Sequence, residues 1–309
     1  MTPVTSTMPR VSLWLPGFIA LGIVWGLSFL FISLSLTSLT PYGVAAVRTL
    51  LGAGALLAWS GIRRMPLSGS VKLWGASLVF ALFVNVIPAY LFALAETYVS
   101  SALAGVLNAT TPMMTVIMTF LFFRDQRVSG NMVLGIVIGF IGIVVLSGTI
   151  FEPQPSNAVL GIGILLIATA CYGFAFPFAR RYLTPSGLPA STLATMQLTS
   201  GAIWFLLGAP FFTLQSGAWT IQSVLAIAAL GMLGTGFAYI WNFRTIQLAG
   251  PAVASTVTYI TPVVAVIAGV VFIHESIHWY QVVGGGTVIL SAALVQERIR
   301  LMRPRKDSI

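Results

Sequence analysis

The sequence predicts an all-α membrane protein with ten transmembrane helices, built as two inverted five-helix repeats. Three observations carry that prediction. First, the 309 residues are 58% hydrophobic and only 7% charged, with a mean hydropathy of +0.99, whereas a soluble domain carries about 25% charged residues. Second, the apolar residues gather into ten runs of about twenty, the length that crosses a bilayer as a helix. Third, the stretch Ala93–Leu146 returns 150 positions later as Phe243–Gln296, without a gap.

In that repeat Thr111 falls on Thr261 and Pro112 on Pro262. Ala102, Ala104, Val116, Ile117, Phe122 and Gly135 fall on Ala252, Ala254, Val266, Ile267, Phe272 and Gly285. Asp125 falls on Glu275, an acid on an acid in a chain with six acidic residues. Apolar segments resemble one another by composition, so any one match is weak. A Thr-Pro inside an apolar run, followed thirteen residues after the proline by an acid, is a stronger sign of two copies of one unit.

The runs lie near 16–36, 41–60, 73–95, 101–123, 129–149, 158–179, 189–213, 221–243, 251–273 and 278–296. The first follows Arg10 as a signal peptide would, yet it is long enough to span and has no clear small-residue cleavage site, so it stays a helix. Pro41, Pro189 and Pro251 stand near the starts of the second, seventh and ninth runs, where a missing N–H costs least. The uncharged stretch from Tyr182 to Phe243 holds two runs, with GAPFFTLQSGAW as the turn between them. Asn108-Ala109-Thr110 has the form of a glycosylation acceptor but lies inside the fourth run. The breaks are short, and the boundary between repeats falls at 155, giving units 1–155 and 156–309.

The net charge of +9 points to membrane topology and not to nucleic acid, because the basic residues cluster at the ends of apolar runs. With both termini in the cytoplasm, the cytoplasmic segments hold Arg10, then Arg63, Arg64 and Lys72, Arg124 and Arg127, Arg180 and Arg181, Arg244, and the five bases of the C-terminal tail. That is fourteen of the fifteen bases, the other being Arg48 inside the second run. Five spans per repeat is an odd number, so the copies point in opposite directions. The loop after span four carries Arg124 and Arg127, and its counterpart after span nine carries His274, Glu275 and His278. Inverted repeats place a substrate site near the midplane between the halves.

Positions three, four and seven apart share a helix face. Span four then shows a small and polar stripe through Ser101, Gly105, Asn108, Thr111, Pro112 and Thr115, and span nine a matching one through Pro251, Ser255, Thr258, Thr261 and Pro262. Each proline removes the bond to the carbonyl four residues back, at Asn108 and at Thr258, and a freed carbonyl at membrane depth lines a wet cavity or is satisfied by protein. Tight packing through small residues is the plainer alternative. Span three offers Asn85, Pro88, Phe92 and Glu96 on one face, and span eight offers Thr235, Tyr239 and Asn242. Trp25-Gly26 and Phe29 in span one correspond, with an offset of 147, to Tyr172-Gly173 and Phe176 in span six. These aromatics flank a flat or amphipathic substrate, or else pack the core. Arg48, about 10 Å deep at 1.5 Å per residue, is a candidate coupling or gating group, and Glu96 is a candidate proton-coupling carboxylate or an interfacial acid. The substrate-binding candidates are Trp25, Phe29, Asn85, Asn108, Thr111, Tyr172, Phe176, Tyr239, Thr258 and Thr261.

His274-Glu275-Ser276-Ile277-His278 matches the H-E-x-x-H zinc protease pattern. That chemistry needs both histidines on one helix turn and a third ligand, and here the five residues straddle a short turn, with no other histidine in the chain. No metal or cofactor is expected. Cys171 lies within an apolar run as an inert thiol. The glycine faces Gly135/Gly139/Gly142 and Gly284/Gly285/Gly286 suit close helix packing or a homodimer through helices five and ten.

Taken together, Trp25-Gly26, Pro41 with Arg48, the Thr-Pro pairs at 111–112 and 261–262, Asp125 and Glu275, and the glycines of spans five and ten resemble the drug/metabolite transporter superfamily in its EamA-type ten-helix form. The resemblance runs from Phe18 to Val295. It implies a multi-pass protein of the bacterial inner membrane that exports small metabolites, often amino acids or related compounds, by alternating access through a central cavity lined by spans one, three, four, six, eight and nine. It implies no enzyme, and a small-molecule substrate and the lipid bilayer as partners. One departure is Arg124-Asp125 where such proteins usually have Gly-Glu. The rival readings are a non-transporting membrane subunit, a lipid-handling protein and the intramembrane zinc protease.

Overall fold

In the computed structural model the described residues are 13–65, 67–123, 130–148, 156–249, 254–295 and 299. They form helices, with one isolated antiparallel bridge between Leu39 and Gln215 and no strand among them. Six helices are long and apolar enough to cross a membrane: α1 (Leu15–Ser35), α2 (Pro41–Ile62), α3 (Val71–Ala95), then α7 (Asn157–Ser186), α8 (Ala190–Phe211) and α9 (Ile221–Leu248). Between them lie α4 (Ser101–Asn108) and α5 (Thr111–Phe123), which together make one apolar segment bent by 41° at Ala109-Thr110. Three shorter apolar helices complete the described chain: α6 (Gly130–Leu146), α10 (Val257–Ile273) and α11 (Trp279–Val295).

Local chemistry sets the helix starts. Pro41 opens α2 with its missing N–H at the first position, and Thr40 accepts the Gly43 N–H at 3.0 Å. Ser70 and Ser100 cap α3 and α4 through Leu73 and Leu103, and Thr220 with Ser223 forms a reciprocal box at α9. The expected limits shift at two ends. Helix α7 carries Arg180 and Arg181 in the last turn of its α-helical part, which ends at Tyr182 before a short 3-10 turn, where cations suit the negative helix terminus. Helix α9 runs through Arg244, expected in a loop, because nothing from Phe243 to Leu248 breaks the helix. Arg10, Arg124, Asp125, Arg127, Glu152, Pro251 and the basic tail lie outside the described residues.

The outer faces are apolar: Ile167, Leu206, Phe122 and Phe272 are all more than half exposed, as lipid-facing side chains are. Inside, one cluster joins Phe29, Phe92, Leu107, Met113, Leu165 and Leu230, and a second joins Leu56, Phe80, Leu198, Tyr239 and Phe243. Tyr172 packs on both. The glycine face of α6 lies against α11 within one chain, whereas of the α11 glycines Gly284 lies against Leu146 of α6, Gly285 faces Val106 of α4 and Gly286 faces open space. Ser291 on α11 donates to the Gly135 carbonyl of α6 at 2.7 Å, and a Cβ on Gly139 would stand 2.4 Å from Ser291 Oγ.

Two features recur at matching positions of the halves. The first is a close crossing. A Cβ on Gly26 of α1 would lie 2.4 Å from Val264 of α10, and one on Gly173 of α7 would lie 2.6 Å from the backbone of Met114 in α5. Val264 is Met114 displaced by 150. The Trp-Gly and Tyr-Gly pairs therefore each mark where a helix of one half lies against the proline-bearing segment of the other. The second is a π turn, over Leu82–Val86 in α3 and Leu230–Phe237 in α9. These overlap under the same displacement, so Val84 matches Gly234 and Asn85 matches Thr235. No residue type announces a π turn, and the sequence reading did not contain it.

Candidate functional site

A cavity opens between the two core clusters. Its aromatic walls are Trp25 and Phe29 of α1, Phe92 of α3, Tyr172 and Phe176 of α7, and Tyr239 of α9. Trp25 and Tyr239 meet edge to face at 5.9 Å between centroids. Phe92 meets Phe29 at 5.7 Å edge to face and stacks on Tyr172 at 5.8 Å.

The π turns hold two of these rings. Trp25 donates its Nε1–H to the Gly234 carbonyl at 3.1 Å. Tyr239 donates its hydroxyl to the Val84 carbonyl at 3.0 Å. Gly234 and Val84 are equivalent, and each is reached by an aromatic of the opposite half. An indole or phenol buried with its polar tip satisfied keeps a fixed orientation.

Polar wall groups come from the proline-bearing segments. Asn108, Thr111 and Thr258 line the cavity. Thr111 Oγ1 donates to the Asn108 carbonyl at 2.7 Å, the carbonyl that Pro112 deprives of its helical partner. Thr261 Oγ1 stands 3.5 Å from the Thr258 carbonyl in the matching place. The Thr of each Thr-Pro pair thus serves the carbonyl its own proline frees, so these carbonyls are satisfied by protein. Arg48 reaches the cavity from α2. Its Nε–H donates to Thr235 Oγ1 at 2.9 Å, and the Thr235 hydroxyl donates in turn to the Leu230 carbonyl at 2.9 Å.

Of the sequence-nominated residues, nine meet in this cavity: Trp25, Phe29, Arg48, Asn108, Thr111, Tyr172, Phe176, Tyr239 and Thr258. Three do not. Asn85 is 3% exposed and accepts from Thr49 Oγ1 at 2.9 Å between α2 and α3. Thr261 is fully buried beneath the crossing with Gly26. Glu96, just past the end of α3, stands away from the cavity wall. Both its carboxylate oxygens are shut off from solvent with no hydrogen-bond partner among the described residues. Burial pushes its carboxyl well above the ordinary range; the Glu275 charge adds to the rise and Arg48 opposes it. The wall also includes Ser28 and Ile32, which the sequence reading missed; they follow Trp25 by three and seven positions on the same helix face. Asn242, seen on the Tyr239 face, belongs to it as well.

The H-E-x-x-H residues have a different arrangement from a zinc helix. His274 closes α10 in the left-handed conformation at φ 54°, and His278 precedes α11, stacked on Tyr280. Glu275 turns to the first half. Its carboxylate accepts Ser101 N–H at 2.8 Å, Ser101 hydroxyl at 2.8 Å and Ala102 N–H at 2.9 Å. Glu275 thus caps α4, where a helix N-terminus favours an anion.

Comparison with known proteins agrees with this architecture. The sequence profile of the EamA-like transporter family matches residues 12–148 and, a second time, 159–296. An uncharacterized transporter of Archaeoglobus fulgidus is 28% identical over 282 residues, covering 88% of this chain and 94% of its own. The uncharacterized inner membrane transporter YedA of Escherichia coli is 26% identical, covering 89% and 88%. Protein PecM of Dickeya dadantii is 24% identical, covering 92% of each. A solved crystal structure shares the fold with a TM-score of 0.65 at 21% identity, covering 94% of this chain and all of its own. With the family profile matched twice along nearly its whole length, the chain belongs to the EamA-like transporter family and is a membrane transporter.

Proposed function

We propose that the protein is a secondary transporter of the bacterial inner membrane that exports small amphipathic metabolites, amino acids or related compounds, by alternating access. In this reading the bent α4–α5 pair is one span, and with the nine other apolar helices it makes ten crossings. Residues 1–155 and 156–309 are inverted copies with both termini in the cytoplasm. The observation that carries the reading is the cavity wall, which is shared by matching segments of the halves. Gly26 and Gly173 cross the opposite half at equivalent points, and Val84 and Gly234 each hold an aromatic from the opposite half. A site enclosed by two such copies can be exposed to one side and then the other by rocking one against the other.

The test is twofold. Overexpressing cells are screened for tolerance to amino acids, analogues and drugs, and each hit is assayed for counterflow in proteoliposomes. In parallel, with Cys171 replaced by Ala, single cysteines at Asn108, Thr111 and Thr258 should react with a membrane-impermeant thiol reagent, more slowly when substrate is present. Cysteines at Val106, Val116 and the buried Thr261 should resist. Labelling that is equal all round the α4–α5 pair would mean the stripe is packing surface, and no counterflow for any hit would end the transport mechanism proposed here.

A further inference from the structure

We propose that Arg48 makes the cavity selective for molecules that carry a carboxylate and excludes those that carry only a positive charge. This rests on the transport reading and adds the charge of the cargo. A guanidinium does not lose its proton in a protein, so the cavity holds a permanent cation at membrane depth.

The surroundings leave that cation uncompensated at close range. Its one hydrogen bond among the described residues is the Nε–H donated to Thr235. Thr235 gives its own proton to Leu230, so its oxygen faces Arg48 as an acceptor and fixes one edge of the guanidinium. The groups charged or titratable around it are Tyr172 from α7 and Tyr239 from α9, both neutral phenols, and Glu96 at the end of α3, within electrostatic reach but not in contact. Unpaired charges away from water draw a counter-ion. The free edge of the guanidinium fork matches a planar carboxylate in two-pronged geometry. Around it stand Trp25, Phe29, Phe92 and Tyr172, which suit an apolar or aromatic body. An amine entering the same space meets a like charge, which is how a site rejects a competitor as well as choosing a partner.

Three probes with one aromatic body separate the charges: phenylacetate, phenylalanine and phenethylamine. Binding to the purified full-length protein is followed by intrinsic tryptophan fluorescence, since Trp25 lines the cavity. Both carboxylates should bind at least about tenfold more tightly than the amine. Arg48→Gln should weaken phenylacetate by about tenfold or more and leave phenethylamine unchanged or improved. Arg48→Lys should keep the preference with weaker binding, because an ammonium lacks the planar fork. Thr235→Val, which releases the guanidinium from its anchor, should weaken phenylacetate several-fold and serves as the test if Arg48→Gln does not assemble. The proposal is overturned if phenethylamine binds as tightly as the carboxylates, if neither carboxylate binds, or if phenylacetate binding is undiminished in both Arg48→Gln and Thr235→Val. Counterflow of screened substrates that ignores charge would leave the transporter standing and overturn this inference. Carboxylate binding without any counterflow would do the reverse.

Discussion

Glu96 and Glu275 carry the same group into opposite surroundings. The Glu275 carboxylate is held by three donors at the start of α4, while Glu96 has both oxygens buried and unpartnered. An ordinary interfacial acid faces water, and Glu96 does not. Its carboxyl is raised, so it keeps its proton above the usual value of about 4.3 and releases it as pH rises through the shifted value. If a proton gradient drives the export proposed above, Glu96→Gln should carry out exchange between the two sides with little dependence on pH and no response to an imposed gradient. Gradient-driven uptake at the wild-type rate would remove Glu96 from the coupling mechanism. Arg48 and Glu96 were legible in the sequence because an ion beside or within an apolar run is a departure from pattern. Asn85 was not, because the π turn at Leu82–Val86 changes the turn on which a 3.6-residue face is counted. Its side chain ends against Thr49, while Thr235, at the equivalent site, holds Arg48.

Among the elements, the bent α4–α5 pair shows how two adjacent residues solve one problem. Pro112 removes a bond from the Asn108 carbonyl, and Thr111 restores one at 2.7 Å. Thr111→Val keeps the shape and removes the donor, leaving a buried carbonyl unserved. This should cost about 1–3 kcal/mol, read as a lower thermal midpoint of the purified protein, whereas Thr111→Ser should stay near wild type. Equal midpoints for Val and Ser would show that the backbone finds another donor. Most of the helices were legible from hydropathy and from the prolines near their starts, although α7 runs to Ser186, beyond the limit near 179 that hydropathy suggests. What hydropathy misjudged was where α9 stops: a base such as Arg244 marks a membrane boundary, and a helix does not end where the apolar run ends.

For the molecule as a whole, the proposed orientation follows from fourteen bases on one side. Reporter fusions at Ile150 and Gly217 should register on the outer side and fusions in the 61–72 loop on the inner; a cytoplasmic signal at Ile150 or Gly217 would break the division into five and five. The repeat was visible in the sequence through Thr-Pro and the acids. The contacts that join its copies were not, since Tyr239 and Val84 are 155 positions apart and nothing in either residue names the other.

That separation has a consequence for how the protein is made. When the ribosome has delivered the first half into the bilayer, the Val84 carbonyl waits for a phenol not yet synthesised, and the Trp25 indole for a carbonyl at Gly234. The start of α4 likewise waits for Glu275. Until those residues arrive, polar groups meant for the interior face lipid or trapped water, where each unmet group is costly. The nascent first half is therefore an unfinished surface, completed only when Gly234, Tyr239 and Glu275 of the second half arrive.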